Sequence, residues 1–459
     1  MVSLIGTLMD DYLLGTQDDD IISDPYGNDT ILGLRGNDTL DGGPGSDLLV
    51  GGSGNDLISG GSGPYSDRDT LDGGLGNDTL RGGYSIASNL IKGGAGDDLI
   101  YGGIVSGVET LSGGSGNDTI KGASEMAQFF SDGGPEILDG GFGDDLLYGH
   151  YRSTLYGGPG QDTLHIFVNS GSAYGGSGDD ILISDYGSDL HGEQGDDSLN
   201  GGGFNDNLDG GTGDDTLNGG QGFFTRAGFV PGGSDILDGG SGNDLIYGGQ
   251  TSSASKLYFG DTPEEQDTLY GGFGHDTLKG EEGRDLLQGG TGNDLLFGGG
   301  DNDIFYIGEN YPIFIDGNDT IEAGAGNDTL SGGASNDLLS GNQGADSFLY
   351  STNKAFNTIA ICVDTITDFK ARTDTIVLSK TTFTALTTAM GDGLAADQFA
   401  LVADDTAASV SKALITYSIG TGNLFYNQNG IGDGFGDGGQ FATLQGIPKL
   451  NATDFMLIA

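Results

Sequence analysis

Single large apolar residues recur at nine-residue intervals through most of the chain, each set in a run of glycine and polar residues. The units GGSGNDLIS from Gly51, GGLGNDTLR from Gly73 and GGAGDDLIY from Gly93 carry Asp at the sixth place and Leu or Ile at the eighth. An apolar residue between outward-pointing neighbours predicts a very short strand. One unit cannot bury that residue alone, so the pattern predicts stacked repeats.

The first six residues of each unit are suited to a tight turn around an ion. Glycine adopts positive φ without strain and lets backbone carbonyl groups approach a metal closely. The sixth-place Asp adds a carboxylate oxygen, a hard ligand that calcium prefers. Oxygen ligands at this density favour calcium over zinc or copper, and the nonapeptide as a whole is typical of calcium-binding parallel β-helical repeats.

Two such units should make one coil, with a turn at each edge and parallel strands about 4.8 Å apart on neighbouring coils. Stacking then places Asp side chains in rows, where two carboxylates about 5 Å apart repel by roughly 3 kcal/mol at an effective dielectric of 20. We therefore expect the coils to close only with divalent cations between the turns. An acidic disordered linker is disfavoured because the apolar positions are too regular.

The predicted calcium ligands are the sixth-place aspartates of the repeats. Assigning alternate units to opposite edges predicts one unbroken row of ligands on the first edge. The second edge should hold every insertion and shortened unit between Gly60 and Tyr270, and several of its units lack Asp, such as those from Gly82 and Gly102. The predicted metal ligands are Asp38, Asp47, Asp56, Asp78, Asp98, Asp118, Asp145, Asp162, Asp180, Asp197, Asp206, Asp215, Asp244, Asp276, Asp285, Asp294, Asp303, Asp328 and Asp337.

Composition and charge exclude several other classes of function. The chain has 93 glycines, 68 acidic and 16 basic residues, and a net charge of −52. Such a charge disfavours a nucleic-acid partner and an anionic membrane surface. No stretch is apolar enough to predict a membrane span, and the first residues lack the features of a secretory signal peptide. Cys362 is the one cysteine, so no intramolecular disulfide is expected.

The pattern changes near Asp346, where glycine becomes scarce and Thr, Ile, Val and Phe increase, which favours strands. The later stretch ALITYSIGTGNLFYNQNG, from Ala413, predicts a hairpin around the TGN sequence. The sequence therefore predicts an all-β protein with two parts. Residues 1–349 form a parallel β-roll, a calcium-bound nonapeptide solenoid, and residues 350–459 form a β-rich C-terminal cap.

The repeats resemble the hemolysin-type calcium-binding (RTX) repeats, and the C-terminal segment resembles the region that follows such repeats in serralysin-type proteases. This resemblance implies a parallel β-roll and export by type I secretion machinery through an uncleaved C-terminal signal. One departure is NQNGIG at Asn427–Gly432, where the family often has Asp in place of Asn. The matching C-terminal residues are Asp346, Phe348, Asp364, Ile366, Asp368, Phe369, Asp374 and Ile376.

Signals for catalysis are weak. The histidines His150, His165, His191 and His275 form no H-E-x-x-H motif and are interpreted as solvated turn residues. Cys362 lies in the apolar run TIAICV and is interpreted as a buried strand cysteine. Gly434, Gly436 and Gly439 fit G-x-G-x-x-G, but no βαβ pattern accompanies them, so they predict a loop. We expect no enzymatic activity.

Four inserts concentrate aromatic and basic residues: Ala123–Ile137, His150–Tyr156, Gln221–Gly233 and Thr251–Gln266. They either cover the edge of the core or form an extracellular partner or glycan surface. The leading prediction is a secreted, extracellular calcium-binding protein with a structural, cell-surface or matrix role. The alternatives are a carbohydrate-binding adhesin and an accessory module of a secreted enzyme or toxin.

Overall fold

The computed structural model describes the chain apart from residues 62–66, 84–87, 104–107, 123–134, 151, 168–170, 221–222, 226–227, 231–232, 250–265, 282–284, 292–293, 300–302, 307–317, 334–335, 353, 358–361 and 431–433. The chain divides into two compact units, Met1–Thr216 and Leu217–Ala459. We call them the N-terminal and C-terminal units and describe each by itself.

The N-terminal unit consists of two parallel sheets whose strands alternate along the chain. Sheet a contains Ser3–Ile5, Ile21–Ser23, Thr39–Asp41, Leu57–Ser59, Thr79–Arg81, Leu99–Tyr101, Thr119–Lys121, Leu146–Gly149, Thr163–Ile166, Ile181–Ser184 and Ser198–Asn200. Sheet b contains Tyr12–Leu14, Thr30–Arg35, Leu48–Ser53, Thr70–Leu75, Leu90–Ala95, Glu109–Ser115, Glu136–Phe142, Thr154–Pro159, Ser172–Ser177, Asp189–Gln194 and Asn207–Thr212. The strand Thr216–Asn218 lies at the boundary between the units.

Each strand pairs with the strand one coil away, in a register that superimposes the apolar positions. In sheet a, Ile58 lies between Leu40 and Leu80, and all three side chains are buried. Their neighbours on either side along the strand point outward, as the pleat requires. The core of the unit is therefore two facing rows of Leu and Ile, one row from each sheet.

The two edges of the N-terminal unit differ in length. On the first edge, where the chain passes from sheet b to sheet a, nine residues separate Thr70 from Thr79, and this spacing holds throughout the unit. On the second edge the distance varies: eleven residues separate Thr79 from Leu90, and eighteen separate Thr119 from Ile137. The second edge therefore absorbs the insertions of this unit.

The C-terminal unit repeats the arrangement and then changes. Its sheet a contains Leu245–Tyr247, Thr277–Glu281, Leu295–Gly299, Thr320–Gly324, Leu338–Ser340, Asp364–Ile366, Phe399–Val402, Ile415–Ser418, Asn423–Tyr426 and Gly439–Leu444. Its sheet b contains Ile236–Ser241, Thr268–Phe273, Leu286–Thr291, Ile304–Tyr306, Thr329–Ser331, Ser347–Tyr350, Thr375–Ser379 and Phe455–Ile458. A separate hairpin joins Phe223–Thr225 to Gly228–Val230.

Both sheets of the C-terminal unit continue beyond residue 349. Ser347–Tyr350 pairs in parallel with Thr375–Ser379, which pairs in parallel with the terminal strand Phe455–Ile458. The hairpin predicted around TGN is confirmed, because Ile415–Ser418 and Asn423–Tyr426 are antiparallel. The described residues also include an α-helix, Asp405–Ser409, and a 3₁₀-helix, Ala452–Asp454.

The C-terminal cap has its own aromatic core. Phe383 lies with its ring centroid 5.0 Å from that of Tyr426 and 5.3 Å from that of Phe441. All three side chains are buried. The single-residue rows of the roll therefore give way to a broader core where glycine becomes scarce.

The predicted all-β parallel roll is confirmed by the parallel strand pairing of both units. The predicted division at residues 349 and 350 stays a prediction, although the strand Ser347–Tyr350 spans it. In the described part of the chain, no helix is long and apolar enough to cross a membrane.

Candidate calcium sites

The last residue of each first-edge turn in the N-terminal unit is a buried Asp. These residues, which we call column 1, are Asp20, Asp38, Asp56, Asp78, Asp98, Asp118, Asp145, Asp162, Asp180, Asp197 and Asp215. Each Asp from Asp20 to Asp197 donates its backbone N–H to Oδ1 of the next, at 2.7–2.8 Å. The turns therefore stack through an unbroken ladder of carboxylate–amide hydrogen bonds.

The second carboxylate oxygen of the column is buried and accepts no hydrogen bond. This holds for Oδ2 of Asp38, Asp56, Asp78, Asp98, Asp118, Asp145, Asp162, Asp180 and Asp197. A buried anionic oxygen without a donor costs several kcal/mol unless a cation or a proton meets it. The row of unmet oxygens is the observation that indicates bound cations.

Glycine at the first place of each turn leaves room beside that oxygen. A methyl group on Gly33 would collide with Asp38 Oδ2 and lie 2.7 Å from the carbonyl oxygen of Gly51, one coil away. The second and fourth glycines serve a different purpose, since Gly52 and Gly54 have φ of +116° and +128°. Carboxylate and carbonyl oxygens thus converge where no side chain can intrude.

Burial also raises the pKa of the carboxyl groups in column 1. Desolvation is the largest cause, and it raises the pKa of Asp78, Asp118 and Asp180 to about 7. The backbone N–H from the neighbouring coil opposes this rise, whereas the carboxylates one coil away add to it. A closed stack at neutral pH therefore needs either protons or cations beside these oxygens.

The residue before each column Asp forms a second, exposed ladder. Asn55 donates its backbone N–H to Oδ1 of Asn37 at 2.7 Å, and Asn77 donates to Oδ1 of Asn55 at 3.0 Å. These bonds run toward the preceding coil, whereas those of column 1 run toward the following coil. The preference for Asn and Asp at the fifth place of the repeat follows from this ladder.

The second edge of the N-terminal unit carries a column of different composition. Column 2 begins with Asp11, Asp29, Asp47 and Asp69, joined by the same amide–Oδ1 bonds. It then continues through Asn89, Glu109, Glu136, Ser153, Gly171 and Ser188 and returns to Asp at Asp206.

Protein donors meet the carboxylates in the middle of column 2. Asn89 Nδ2 donates to Glu109 Oε1 at 3.1 Å and to the Gly82 carbonyl at 3.3 Å. The Gly103 amide lies 3.0 and 2.9 Å from the two oxygens of Glu109. An amide N–H thus occupies the position where a cation would neutralise an Asp-type turn.

Three carboxylates meet at the start of column 2. One oxygen from each of Asp11, Asp24 and Asp29 lies within 4.8 Å of the others. Asp24 occupies the place of the first glycine in its repeat, and Asp11 donates its backbone N–H to Asp29 Oδ1 at 2.7 Å. This group adds a third carboxylate to the arrangement of the regular turns.

Both columns recur in the C-terminal unit. The first edge carries Asp244, Asp276, Asp294, Asp319, Asp337 and Asp364, and the second edge carries Asp235, Asp267, Asp285, Asp303, Asp328, Asp346 and Asp374. Amide–Oδ1 bonds of 2.6–3.2 Å join successive members. Oδ2 of Asp294, Asp328 and Asp346 is buried without a hydrogen-bond partner.

At the C-terminal ends of the columns, backbone N–H groups donate hydrogen bonds to both oxygens of a carboxylate. Asp374 accepts the backbone N–H of Asp346 at 3.2 Å on one oxygen and that of Lys370 at 2.6 Å on the other. Asp368 accepts from Gly341 at 3.1 Å and from Asn342 at 2.7 Å. These carboxylates of the C-terminal segment close the last turns with direct hydrogen bonds.

All the aspartates predicted as ligands lie on one of the two columns. On column 2 they are Asp47, Asp206, Asp285, Asp303 and Asp328, and the others are on column 1. Sequence reasoning missed column members in units that depart from the regular nonapeptide: Asp11, Asp20, Asp29, Asp69, Asp235, Asp267, Asp319, Asp346, Asp364 and Asp374. The available signal was an Asp followed two residues later by Leu or Ile, as in RDTL at Asp69 and SDIL at Asp235.

Two other interpretations need correction. His165 and His191 are not turn residues: they lie on strands and are partly buried, and His165 Nε2 is 3.2 Å from Asp185 Oδ1. Cys362 is partly exposed with φ of +52° and lies outside a strand. Most of the inserts Ala123–Ile137 and Thr251–Gln266, and the side chains of Gln221–Gly233, lie outside the described residues.

The donor set of the columns fits calcium. It consists of carboxylate and carbonyl oxygens, and the regular turns offer no nitrogen or sulfur ligand. The residues that would hold the ions are the column aspartates together with the first-place glycine carbonyls. A bound calcium would supply the positive charge that the unmet oxygens require.

Comparisons with known proteins agree with this geometry. The family model for the RTX calcium-binding nonapeptide repeat matches more than half of the chain, at residues 5–40, 26–58, 41–63, 65–84, 86–104, 105–124, 130–150, 172–190, 191–223, 232–251, 265–287, 279–309 and 315–348. A search of curated proteins found no match. The matched segments do not include the C-terminal region that resembles the serralysin type.

Among solved structures, the chain is similar to a hyperactive, Ca2+-dependent, β-helical antifreeze protein from an Antarctic bacterium. The identity is 19%, the alignment covers 76% of this chain and 83% of that one, and the TM-score is 0.32. The repeats themselves, with their buried Asp columns, decide the assignment. The chain belongs to the family of proteins built from RTX calcium-binding nonapeptide repeats, and it is a calcium-binding β-roll protein.

Proposed function

We propose that this protein is exported with little structure, folds when it meets extracellular calcium, and then serves as a structural component of the cell surface or matrix. The observation that carries the proposal is the row of buried Oδ2 atoms in column 1, from Asp38 to Asp197. These atoms have no protein donor and need calcium to close the coils. Calcium is thus a condition for folding rather than a later addition.

The charge of the chain supports a switch of this kind. A net charge of −52 with a core of single-residue rows leaves little to hold the roll together in the absence of cations. Extracellular calcium modules commonly bind at about 10⁻⁴–10⁻³ M. At the much lower calcium concentration of a cytosol, the chain stays open and can pass through a narrow transporter.

The C-terminal segment supports export by type I secretion machinery. Its sequence resembles the secretion region of serralysin-type proteins, and its last strand, Phe455–Ile458, pairs within sheet b of the C-terminal unit. A signal placed in this strand is accessible to a transporter only while the chain is unfolded. Calcium-free export and a C-terminal signal are therefore compatible.

Circular dichroism during a calcium titration tests the folding step. We expect little β signal in chelator and a cooperative gain of β signal at millimolar calcium, whereas magnesium at the same concentration should be much less effective. Full β content in chelator would contradict the proposal. Export is tested separately by mass spectrometry of the medium from cells producing the chain without Ala400–Ala459, which we expect not to be secreted.

We expect no catalytic activity of its own from the roll. The sequence carries no H-E-x-x-H motif, His165 and His191 lie on the sheets, and the buried aspartates of the turns are column members. A screen of the calcium-loaded protein for protease, lipase and glycosidase activity tests this expectation. Hydrolytic activity that remains after purification to homogeneity would contradict this expectation and indicate an enzymatic role.

A further inference from the structure

One outer face of the N-terminal unit carries a row of basic and aromatic side chains. Arg81, Tyr101, Lys121, Tyr148 and His165 occupy the third place of successive sheet a strands and are in direct register. Arg81 is exposed and the others are partly exposed. We call these five residues the basic–aromatic row.

The side chains of the row contact one another along its length. The Arg81 guanidinium lies 5.6 Å from the centre of the Tyr101 ring, and Lys121 Nζ lies 5.8 Å from the Tyr101 ring and 5.5 Å from the Tyr148 ring. Tyr148 stacks on Phe167 with ring centroids 5.7 Å apart. Cation–π contacts of this kind hold the cations over the rings and keep both at the surface.

The strand positions directly beside the row carry no carboxylate. The first places of the same strands, which point to the same side, hold Thr79, Leu99, Thr119, Leu146 and Thr163. In the described part of the chain, neither Arg81 nor Lys121 forms an ion pair. The row approaches acids at its two ends, where Ser59 separates Arg81 from Asp41 and where Asp185 pairs with His165. The sheet b face differs, since Asp72, Asp139 and Asp209 stand among its outward residues.

This distribution is unexpected in a chain with 68 acidic and 16 basic residues. Two fixed cations in one acid-free row create a local positive patch, which complements an anionic partner. The row has one residue per coil, so at about 4.8 Å per strand its five residues extend for about 19 Å. This shape suits a linear polymer laid across the strands. Arg81 and Lys121 stand two coils apart, about 10 Å at this spacing, which suits a polymer that carries negative charges at regular intervals.

We propose that the basic–aromatic row binds an acidic polysaccharide. Arg81, Lys121 and Phe167 cover the faces of the Tyr101 and Tyr148 rings, so these tyrosines meet the polymer through their hydroxyl groups, which bond to sugar hydroxyls. Arg81 and Lys121 pair with the sugar carboxylates, and the Thr hydroxyl groups beside the row meet sugar hydroxyls.

The proposal rests on the proposed function only in requiring the calcium-folded roll. The test is a binding titration of the full calcium-loaded chain with sodium polygalacturonate, with neutral dextran as the comparison polymer. We expect binding to polygalacturonate alone, a loss of about tenfold in affinity for Lys121→Glu, and a comparable loss for Tyr101→Ser. Tenfold corresponds to about 1.4 kcal/mol.

Tyr174→Ser is the matched control, because Tyr174 stacks on Tyr156 on the opposite sheet, with ring centroids 5.2 Å apart. It should bind as the wild type does. Equal affinity of Lys121→Glu and the wild type overturns the proposal, as does equal binding of single-stranded DNA. Circular dichroism in calcium is recorded for each variant, so that failure to fold, which concerns the proposed function, is distinguished from failure to bind.

Discussion

The backbone N–H of Asp38 donates to Oδ1 of Asp56 at 2.7 Å, and Oδ2 of Asp56 is then buried with no donor. One carboxylate thus performs two tasks: one oxygen sets the register between coils, and the other is reserved for a cation. The repetition of this relationship along column 1 explains why the sixth place of the repeat is Asp. Asn would keep the hydrogen bond but lose the charge.

Asp180→Asn should therefore separate register from ion binding. The amide oxygen can still accept the backbone N–H of Asp162, as Oδ1 does at 2.7 Å, but one negative charge is lost from the calcium site. We expect the midpoint calcium concentration for folding to rise several-fold, as followed by circular dichroism. Asp179→Asn is the control, since Asp179 is exposed at the fifth place and its Oδ1 serves the outer ladder; an equal shift in both variants would contradict the assignment.

Gly51→Ala should interfere with the same kind of site sterically. The added methyl collides with Asp56 Oδ2 and lies 2.7 Å from the Gly73 carbonyl oxygen. Crowding of this kind typically costs about 1–3 kcal/mol, and here it also displaces a calcium ligand. Chemical denaturation in saturating calcium measures the loss. Ser53→Ala, two residues away at a surface position, should change the stability by no more than about 0.5 kcal/mol.

Glu109 gives the second edge a pH dependence. Burial, with a smaller contribution from Glu136, raises the pKa of Glu109 to about 8, although bonds from Gly103 and Asn89 oppose the rise. The folded state therefore holds a proton that the unfolded state releases above its ordinary pKa of 4.5. Its stabilising contribution is complete below that value and is lost as the pH rises toward 8.

Glu109→Gln should remove this dependence. In saturating calcium, we expect the free energy of unfolding of the variant relative to the wild type to increase between about pH 5.5 and about pH 8.5, by at most about 1.4 kcal/mol per pH unit. Denaturant titrations at both pH values measure it. Glu322→Gln, at an exposed position, controls for the loss of a surface carboxylate. A difference that does not vary with pH would show that Glu109 is ionised throughout.

Glu193→Gly should stabilise the roll. Glu193 occupies the second place of a first-edge turn with φ of +77°, whereas its partners Gly176 and Gly211 on the neighbouring coils are glycines with φ of +118° and +102°. A side chain at positive φ costs roughly 1–2 kcal/mol, which glycine avoids. Thermal unfolding in calcium measures the gain. Gln194→Gly, the adjacent residue outside this conformation, should instead destabilise by about 0.5–1 kcal/mol.

The repeat determines the roll because its places have distinct physical tasks. From their spacing alone, Gly51 can be assigned to leaving room for the ion, Asp56 to the row of carboxylates and Ile58 to the core. The assignment of ligands fails where the spacing changes. Asp69 stands nine residues after Gly60, whereas Asp56 stands five after Gly51, and Asp319 has no Gly-Gly pair of its own before it. There the surrounding stack, rather than the local sequence, holds the Asp in place.

The sequence by itself determined the all-β parallel roll, the calcium chemistry and the contrast between the two edges, because strand period, glycine and Asp act locally within nine residues. Only the tertiary structure decided how neighbouring coils meet. It placed Asn89 Nδ2 against Glu109 and aligned Arg81, Tyr101 and Lys121 in one row. Such contacts join residues about twenty apart in the chain, and variable inserts set that separation, so no local pattern encodes it.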